Sequence, residues 1–459
     1  MTGILNFKDW FKSNKNKIFA DYFTFLKFPT ISSEHQFSTA MHKCAEWLRD
    51  YLQDIGMKAE IWETDGHPVV FGEIQSSDPN MPTLLIYHHY DVQPVDPLDK
   101  WKTPPFEPVC KEGKVYARGA SDNKGQCMYT LAALKSYLSQ EEPGRRNIKI
   151  LIEGEEEIGS PHLMQLLQQK KERIAADYIL IPDVHMPNDR TPAVTLGVRG
   201  IMSLEVHVKT SQSDLHSGIY GGIALNPNRA LACALCKLWN EDGSIAIPGF
   251  YDRISFPDQK ERKKFPAEFK KEELSASGIY SYGGEEGYTL LESNWLRPCL
   301  EINGLWGGYI GEGIKTIIPA ESKAKISCRL VPGQDPIQVT EMLENYLKKR
   351  LPEDAEVTFY RHEQKPAYRS KEDSPIVKIV KKAYEEVFSQ TCKNVLMGGS
   401  IPIAYDLSKI SGGELIFIGV ALLEDDIHAP NEHFRLDQFE KGLITMGKIF
   451  AMLGDAKTG

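Results

Sequence analysis

Residues 82–91, PTLLIYHHYD, read as one short strand that runs out into two histidines and an aspartate. Its core, 84–87, is apolar at successive positions. That is the pattern of a strand covered on both faces rather than one. Two further runs repeat the form, IKILIEGEEEIGS at 148–160 and DYILIPD at 177–183, each an apolar β-rich core followed by acid. KAEIWET at 58–64 adds another strand, while residues 18–28 and 40–55 carry apolar side chains at helical spacing. Strands alternating with helices predict a layered α/β domain around a mixed sheet. The acidic and imidazole residues fall at the C-terminal ends of the strands, where open α/β sheets place their sites.

Beyond TLGVRG (195–200) the pattern changes. IMSLEVHVKT (201–210) alternates apolar and polar like a half-exposed strand. A glycine-rich stretch and the helix-like ALACALCKLW (230–239) come next, then a charged and aromatic region through KKFPAEFKKEE (263–273). KAKISCRLVP (323–332) and AEVTFYRH (355–362) read as strands, with PIQVTEMLENYLKKR (336–350) an amphipathic helix between them. From PIVKIVKKAYEEVF (375–388) onward, helix and apolar strand return. The expected organisation is therefore a discontinuous α/β domain, 1–197 and 371–459, completed around an inserted α+β lid or dimerisation domain, 198–370.

Acidic residues exceed basic ones, 63 to 54, for a net charge of -9, which argues against a nucleic-acid surface. The start, MTGILNFKDWFKSNKNK, is broken by Lys and Asp, and no run approaches the roughly 18 apolar residues of a spanning helix. Neither nucleic acid nor membrane is an expected partner, and the chain reads as cytoplasmic. Eight scattered cysteines lack the density of a disulfide scaffold. Cys233 and Cys236 form a CxxC that reads as two small buried helix residues.

Five residues stand in contexts suited to metal: His89, Asp122, Glu157, Asp183 and His428. Two imidazoles and three carboxylates are too oxygen-rich for a closed Cys-type zinc site, and suffice for two divalent ions if one carboxylate is shared. His89 and Asp91 are two apart in extended backbone, on one face, so Asp91 can accept the spare imidazole N–H of His89. His88 competes for the ligand role, or packs on the opposite face. Asp122 lies between Gly119 and Gly125, and reads either as a ligand in a tight loop or as a helix cap. EGEEEIGS places four carboxylates within five residues, a repulsive set unless positive charge offsets it. Glu156, next to Glu157, is the natural general base. Arg329 in SCRLVP suits a substrate carboxylate, because a guanidinium can bind one bidentately.

HHYDVQP (88–94), WKTPPFEP (101–108), KVYARGASDNKG (114–125), EGEEEIGS, DLHSGIYGG (214–222), MGGSIPI (397–403) and IHAPNE (427–432) resemble, in order and spacing, the motifs of the M20 metallopeptidase family, most of all its cytosolic dipeptidase and carnosinase branch. The resemblance implies one ion on His89, Asp122 and Asp183 and another on Asp122, Glu157 and His428. Zinc is the usual ion and manganese the second choice. It also implies a cis bond between Asp122 and Asn123, an oxyanion-stabilising role for His216, and pocket positions for Ser400, Asn226 and Thr316. A homodimer through the inserted domain, with His216 serving the partner's site, is implied as well. Three departures stand out: His88 where the family usually has Gly, Asn123 where Asp is frequent, and MGGSIP in place of a version with Arg-Glu before the glycines.

The expected protein is a di-metal hydrolase of dipeptides or very short peptides. An N-acyl-amino-acid amidohydrolase is the alternative with the same chemistry, and a non-catalytic peptide-binding protein the alternative of another class.

Overall fold

The computed structural model describes residues 6–76, 78, 80–140, 147–254, 256, 262 and 278–455. The chain divides into two compact units, Met1–Leu196 with Ser370–Val395 and Pro402–Gly459, and Gly197–Arg369 with Leu396–Ile401. The segment Leu396–Ile401, placed by the sequence reading with the C-terminal part, packs with the second unit.

The first unit is built on a mixed sheet whose strands run in the order Lys58–Trp62, Val69–Ile74, Asn147–Glu153, Thr83–His89, Tyr178–Pro182, Glu414–Ile418 and Ala193–Val198. Its four central strands, Asn147–Glu153 through Glu414–Ile418, are parallel, and the flanking pairs are antiparallel. The parallel strands are buried almost throughout, which explains their unbroken apolar runs. Helices Phe7–Leu26, Lys124–Gln140 and Leu436–Asp455 pack together, joined by Pro375–Phe388. Ile403–Ser411 packs with Leu163–Gln169 and Lys171–Ile174.

The first helix begins eleven residues before the expected start at Ile18. Its buried residues there, Phe7 and Phe11, keep helical spacing, but the lysines and asparagines around them dilute the apolar signal. Two side chains tie this region to the site loop. The Tyr22 hydroxyl donates to the Ala120 carbonyl at 2.5 Å, and the buried Lys124 ammonium donates to the carbonyls of Phe25 and Phe28 at 3.2 and 2.7 Å.

The second unit carries a four-stranded antiparallel sheet in the order Cys299–Trp306, Glu321–Leu330, Gly200–Lys209 and Glu356–Lys365. Alternate residues Met202, Leu204, Val206 and Val208 pack with Ala324, Ile326, Cys328 and Leu330 and with helices Pro227–Cys236 and Pro336–Lys348 to form its core. One correction falls on that first helix. Its buried stripe is Ala230, Leu231, Ala234 and Leu235, so Cys233 and Cys236 lie on the opposite face and are exposed, not buried. The KKFPAEFKKEE stretch lies outside the described residues.

Candidate metal centre

The parallel strands deliver their acids and imidazoles to one end of the sheet. His89 is the last residue of Thr83–His89, Asp183 follows Tyr178–Pro182 directly, and Glu156 and Glu157 open a short 3-10 turn just after Asn147–Glu153. His428 comes ten residues beyond the end of Glu414–Ile418 and adopts a left-handed backbone, φ 62°. Asp122 precedes the helix Lys124–Gln140, and the Asp122–Asn123 peptide bond is cis.

Two groups of potential ligands form, His89 with Asp122 and Asp183, and Asp122 with Glu157 and His428, their donor atoms within 4.8 Å of one another. Asp122 divides its carboxylate between them. Its Oδ1 is 3.1 Å from His89 Nε2, and its Oδ2 is 2.9 Å from His428 Nε2. Asp183 Oδ2 lies 3.6 Å from His89 Nε2, and Glu157 Oε2 lies 3.3 Å from His428 Nε2.

Asp91 joins the two sides. His89 Nδ1 bonds the Asp91 backbone carbonyl at 3.2 Å and stands 3.3 Å from Asp91 Oδ1, and the carboxylate accepts the backbone N–H groups of Glu156 and Glu157 at 3.2 and 3.0 Å. The residue that orients the imidazole therefore also sets the turn carrying the acids.

The Asp122 loop is organised by a residue that sequence reading missed. Buried Glu432 accepts backbone N–H groups from Gly119, Ser121 and Asp122 at 2.9, 2.9 and 3.1 Å, and pairs with buried Arg118 at 2.9 Å. Arg118 also donates to the Pro94 carbonyl and lies over the Trp101 ring. Gly119 has φ +80°, and a Cβ there would come within 2.7 Å of Val92. The signal for Glu432 was an acid four residues after His428 in the same loop. His88, offered as packing, is fully buried and bonds Asn123 through Nδ1 at 2.6 Å.

The electrostatics favour cations. Burial, then the charge of Asp122, pushes the Glu157 carboxyl up to about 7. Burial raises Glu156 well above its usual range against the lowering pull of His89, with its acidic neighbours adding to the rise, and burial and Asp122 raise Asp183. Bonds to Asp122 and Glu157 push His428 up to about 10. Burial pushes His88 down to about 3, so that ring is neutral. Acids held this close raise one another's proton affinity, and divalent ions between them would relieve the repulsion. Donor types, the shared carboxylate and this crowding of charge all fit a two-ion centre.

The remaining predicted residues belong to the second unit. His216 is exposed, in the strand Leu215–His216 that pairs with Ile317–Ile318. Its Nδ1 accepts the Gly218 N–H at 3.0 Å, which leaves the ring proton on Nε2. The Thr316 carbonyl accepts the Ser217 N–H. Asn226 caps the helix Pro227–Cys236. Arg329 donates to the Ser400 hydroxyl at 2.8 Å, and buried Arg199 holds the adjoining Gly398 carbonyl at 2.7 Å. The partner of Ser400 is thus a cation, not a base that would make it a nucleophile.

Among the described residues, no helix is long and apolar enough to cross a membrane. The family model for peptidase family M20/M25/M40 matches residues 85–451. The chain is 32% identical to the human Beta-Ala-His dipeptidase over 392 residues, covering 84% of this chain and 76% of that one. It is 28% identical to the Cys-Gly metallodipeptidase dug1 of Schizosaccharomyces pombe over 437 residues, 90% of this chain and 91% of the other. Among solved structures, the M20 family metallo-carboxypeptidase Sso-CP2 from Sulfolobus solfataricus superposes with a TM-score of 0.83 at 31% identity, covering 95% of this chain and 99% of that one. With the family model matching most of its length, the chain belongs to peptidase family M20/M25/M40 and is an enzyme of that family.

Proposed function

We propose that this enzyme hydrolyses the peptide bond of dipeptides or very short peptides in the cytoplasm, at a centre holding two divalent ions. The division of the Asp122 carboxylate between two ligand groups is the observation that carries the reading. His89, Asp122 and Asp183 would hold one ion, and Asp122, Glu157 and His428 the other, with zinc the first choice and manganese the second. Such a pair supplies Lewis acidity toward the scissile carbonyl and the attacking water.

The protein's own groups do the rest. Asp91 keeps the His89 ring in place and braces the turn that presents Glu156. Glu156, half-buried beside the ligand groups on the turn that Asp91 braces, would accept the water's proton and return it to the leaving nitrogen. In the second unit, His216 carries its proton on Nε2 and is disposed to donate to the developing oxyanion. Arg329, with Ser400 bonded to it, would take the substrate's terminal carboxylate, and Asn226 and Thr316 would make further substrate contacts. Eight free cysteines suit a reducing compartment.

A homodimer through the second unit is part of the reading. Ile219, Tyr220 and Ile223 follow His216, while Tyr309, Ile310 and Ile314 precede the strand paired with it, and all six are exposed. Exposed apolar side chains flanking both paired strands would suit a contact surface. The test is a substrate panel with the ion-loaded enzyme: dipeptides, the same dipeptides C-terminally amidated, and N-acetyl or N-succinyl amino acids. Turnover of free dipeptides with loss on amidation supports the reading. Preference for the acyl amino acids would replace it with an amidohydrolase, and no turnover by protein with both ions bound would leave a peptide-binding role.

A further inference from the structure

We propose that His88 and Asn123 form a hydrogen-bond relay that fixes which oxygen of Asp183 faces the His89, Asp122 and Asp183 group, making His88 a positioning residue for one ion and not the other. The inference rests on the two-ion reading above.

The relay follows from which partners can only accept. Asn123 Nδ2 lies 2.8 Å from the Pro182 carbonyl and 2.6 Å from Asp183 Oδ1. A carbonyl and a carboxylate both lack protons to give, so the amide nitrogen must be the atom between them. The Asn123 oxygen is thereby turned toward His88 Nδ1, 2.6 Å away, and can only accept. His88 must then carry its proton on Nδ1, which leaves Nε2 as a bare acceptor. Consistently, Nε2 is buried without a protein partner.

The far end of the relay has a consequence at the site. Asp183 Oδ1 is occupied by Asn123, so Oδ2 is left for the ligand group, where it stands 3.6 Å from His89 Nε2. An aspartate at 123 would need a proton to make the same bond, whereas asparagine donates while remaining neutral. His88 matches that choice by supplying the one donor the amide oxygen requires. Both side chains are fully buried, so water does not compete. The relay ends on Asp183, a member of one ligand group, while Glu157 and His428 belong to the other.

The test is Co²⁺ binding, followed by calorimetry and by the visible absorption of the bound ion. Each group is isolated in turn: Glu157→Ala leaves the His89 group, and Asp183→Ala leaves the His428 group. In the Glu157→Ala background, His88→Leu should weaken Co²⁺ binding by about 10- to 100-fold, the usual cost of losing an outer hydrogen-bond partner. In the Asp183→Ala background the same change should stay within about threefold. His88→Asn, whose amide nitrogen falls near the position of Nδ1, should restore binding. Adding His88→Leu to Asn123→Ala should cost nothing further, because His88 acts only through Asn123. Should His88→Leu not fold, His88→Asn and Asn123→Ala carry the test, the first near wild type and the second showing the site-selective loss. Equal weakening of both groups, no weakening, or additive losses would overturn the relay while leaving the two-ion centre standing. Uptake of fewer than two Co²⁺ by the unmutated chain would overturn both.

Discussion

The loop that carries Asp122 and the segment that carries His216 are held in opposite ways. Around Asp122, a buried carboxylate gathers three backbone N–H groups and a buried guanidinium, and His89, Asp183, Glu157 and His428 each meet a partner of opposite kind within the ligand groups. His216 is exposed, and one hydrogen bond to its own turn orients its ring. The ligand groups are therefore built before any substrate arrives, at the cost of crowding charge. The His216 segment is exposed surface, flanked by exposed Ile219, Tyr220 and Ile223, which the proposed homodimer would cover. Preorganisation belongs to the candidate ion-binding side, and on the proposed reading assembly belongs to the other.

If that contrast holds, removing the brace should hurt stability, whereas removing His216 should hurt only chemistry. Glu432→Ala leaves Arg118 buried without its counter-charge and frees three backbone donors, so a loss of about 3–5 kcal/mol in urea unfolding is expected. A loss under 1 kcal/mol would mean that the loop holds itself. His216→Ala should leave the unfolding midpoint nearly unchanged and lower kcat by about 10²–10³-fold. If His216 serves the partner's site, mixing His216→Ala with Glu156→Ala under subunit exchange gives hybrids with one restored site each. Roughly a quarter of all sites should then recover in an equal random mixture. Verified hybrids without recovery would place His216 within its own chain or outside catalysis.

How much of this was legible in the sequence differs between the same two regions. The parallel strands declared themselves because burial on both faces removes polar residues, and the ligand candidates stood out at their ends. HxD spacing predicted Asp91 beside His89, and the structure adds its grip on the Glu156 turn. The Arg118–Glu432 pair and the His88–Asn123 bond were not legible as pairings, because the partners lie 314 and 35 residues apart and leave no local period; only its position near His428 marked Glu432. Cys233 and Cys236 were misplaced for a related reason. A short apolar helix does not say which stripe its neighbours will cover until Leu231 and Leu235 meet the sheet.

The central claim is that one carboxylate serves two ions while its neighbour Glu156 serves none. Elemental analysis of purified, zinc-loaded protein tests it directly. The account predicts two ions per chain in the wild type and none retained in Asp122→Ala. In Glu156→Gln it predicts two ions with turnover lowered by about 10²–10⁴-fold. Loss of a single ion in Asp122→Ala, or loss of an ion in Glu156→Gln with the fold intact, would contradict it.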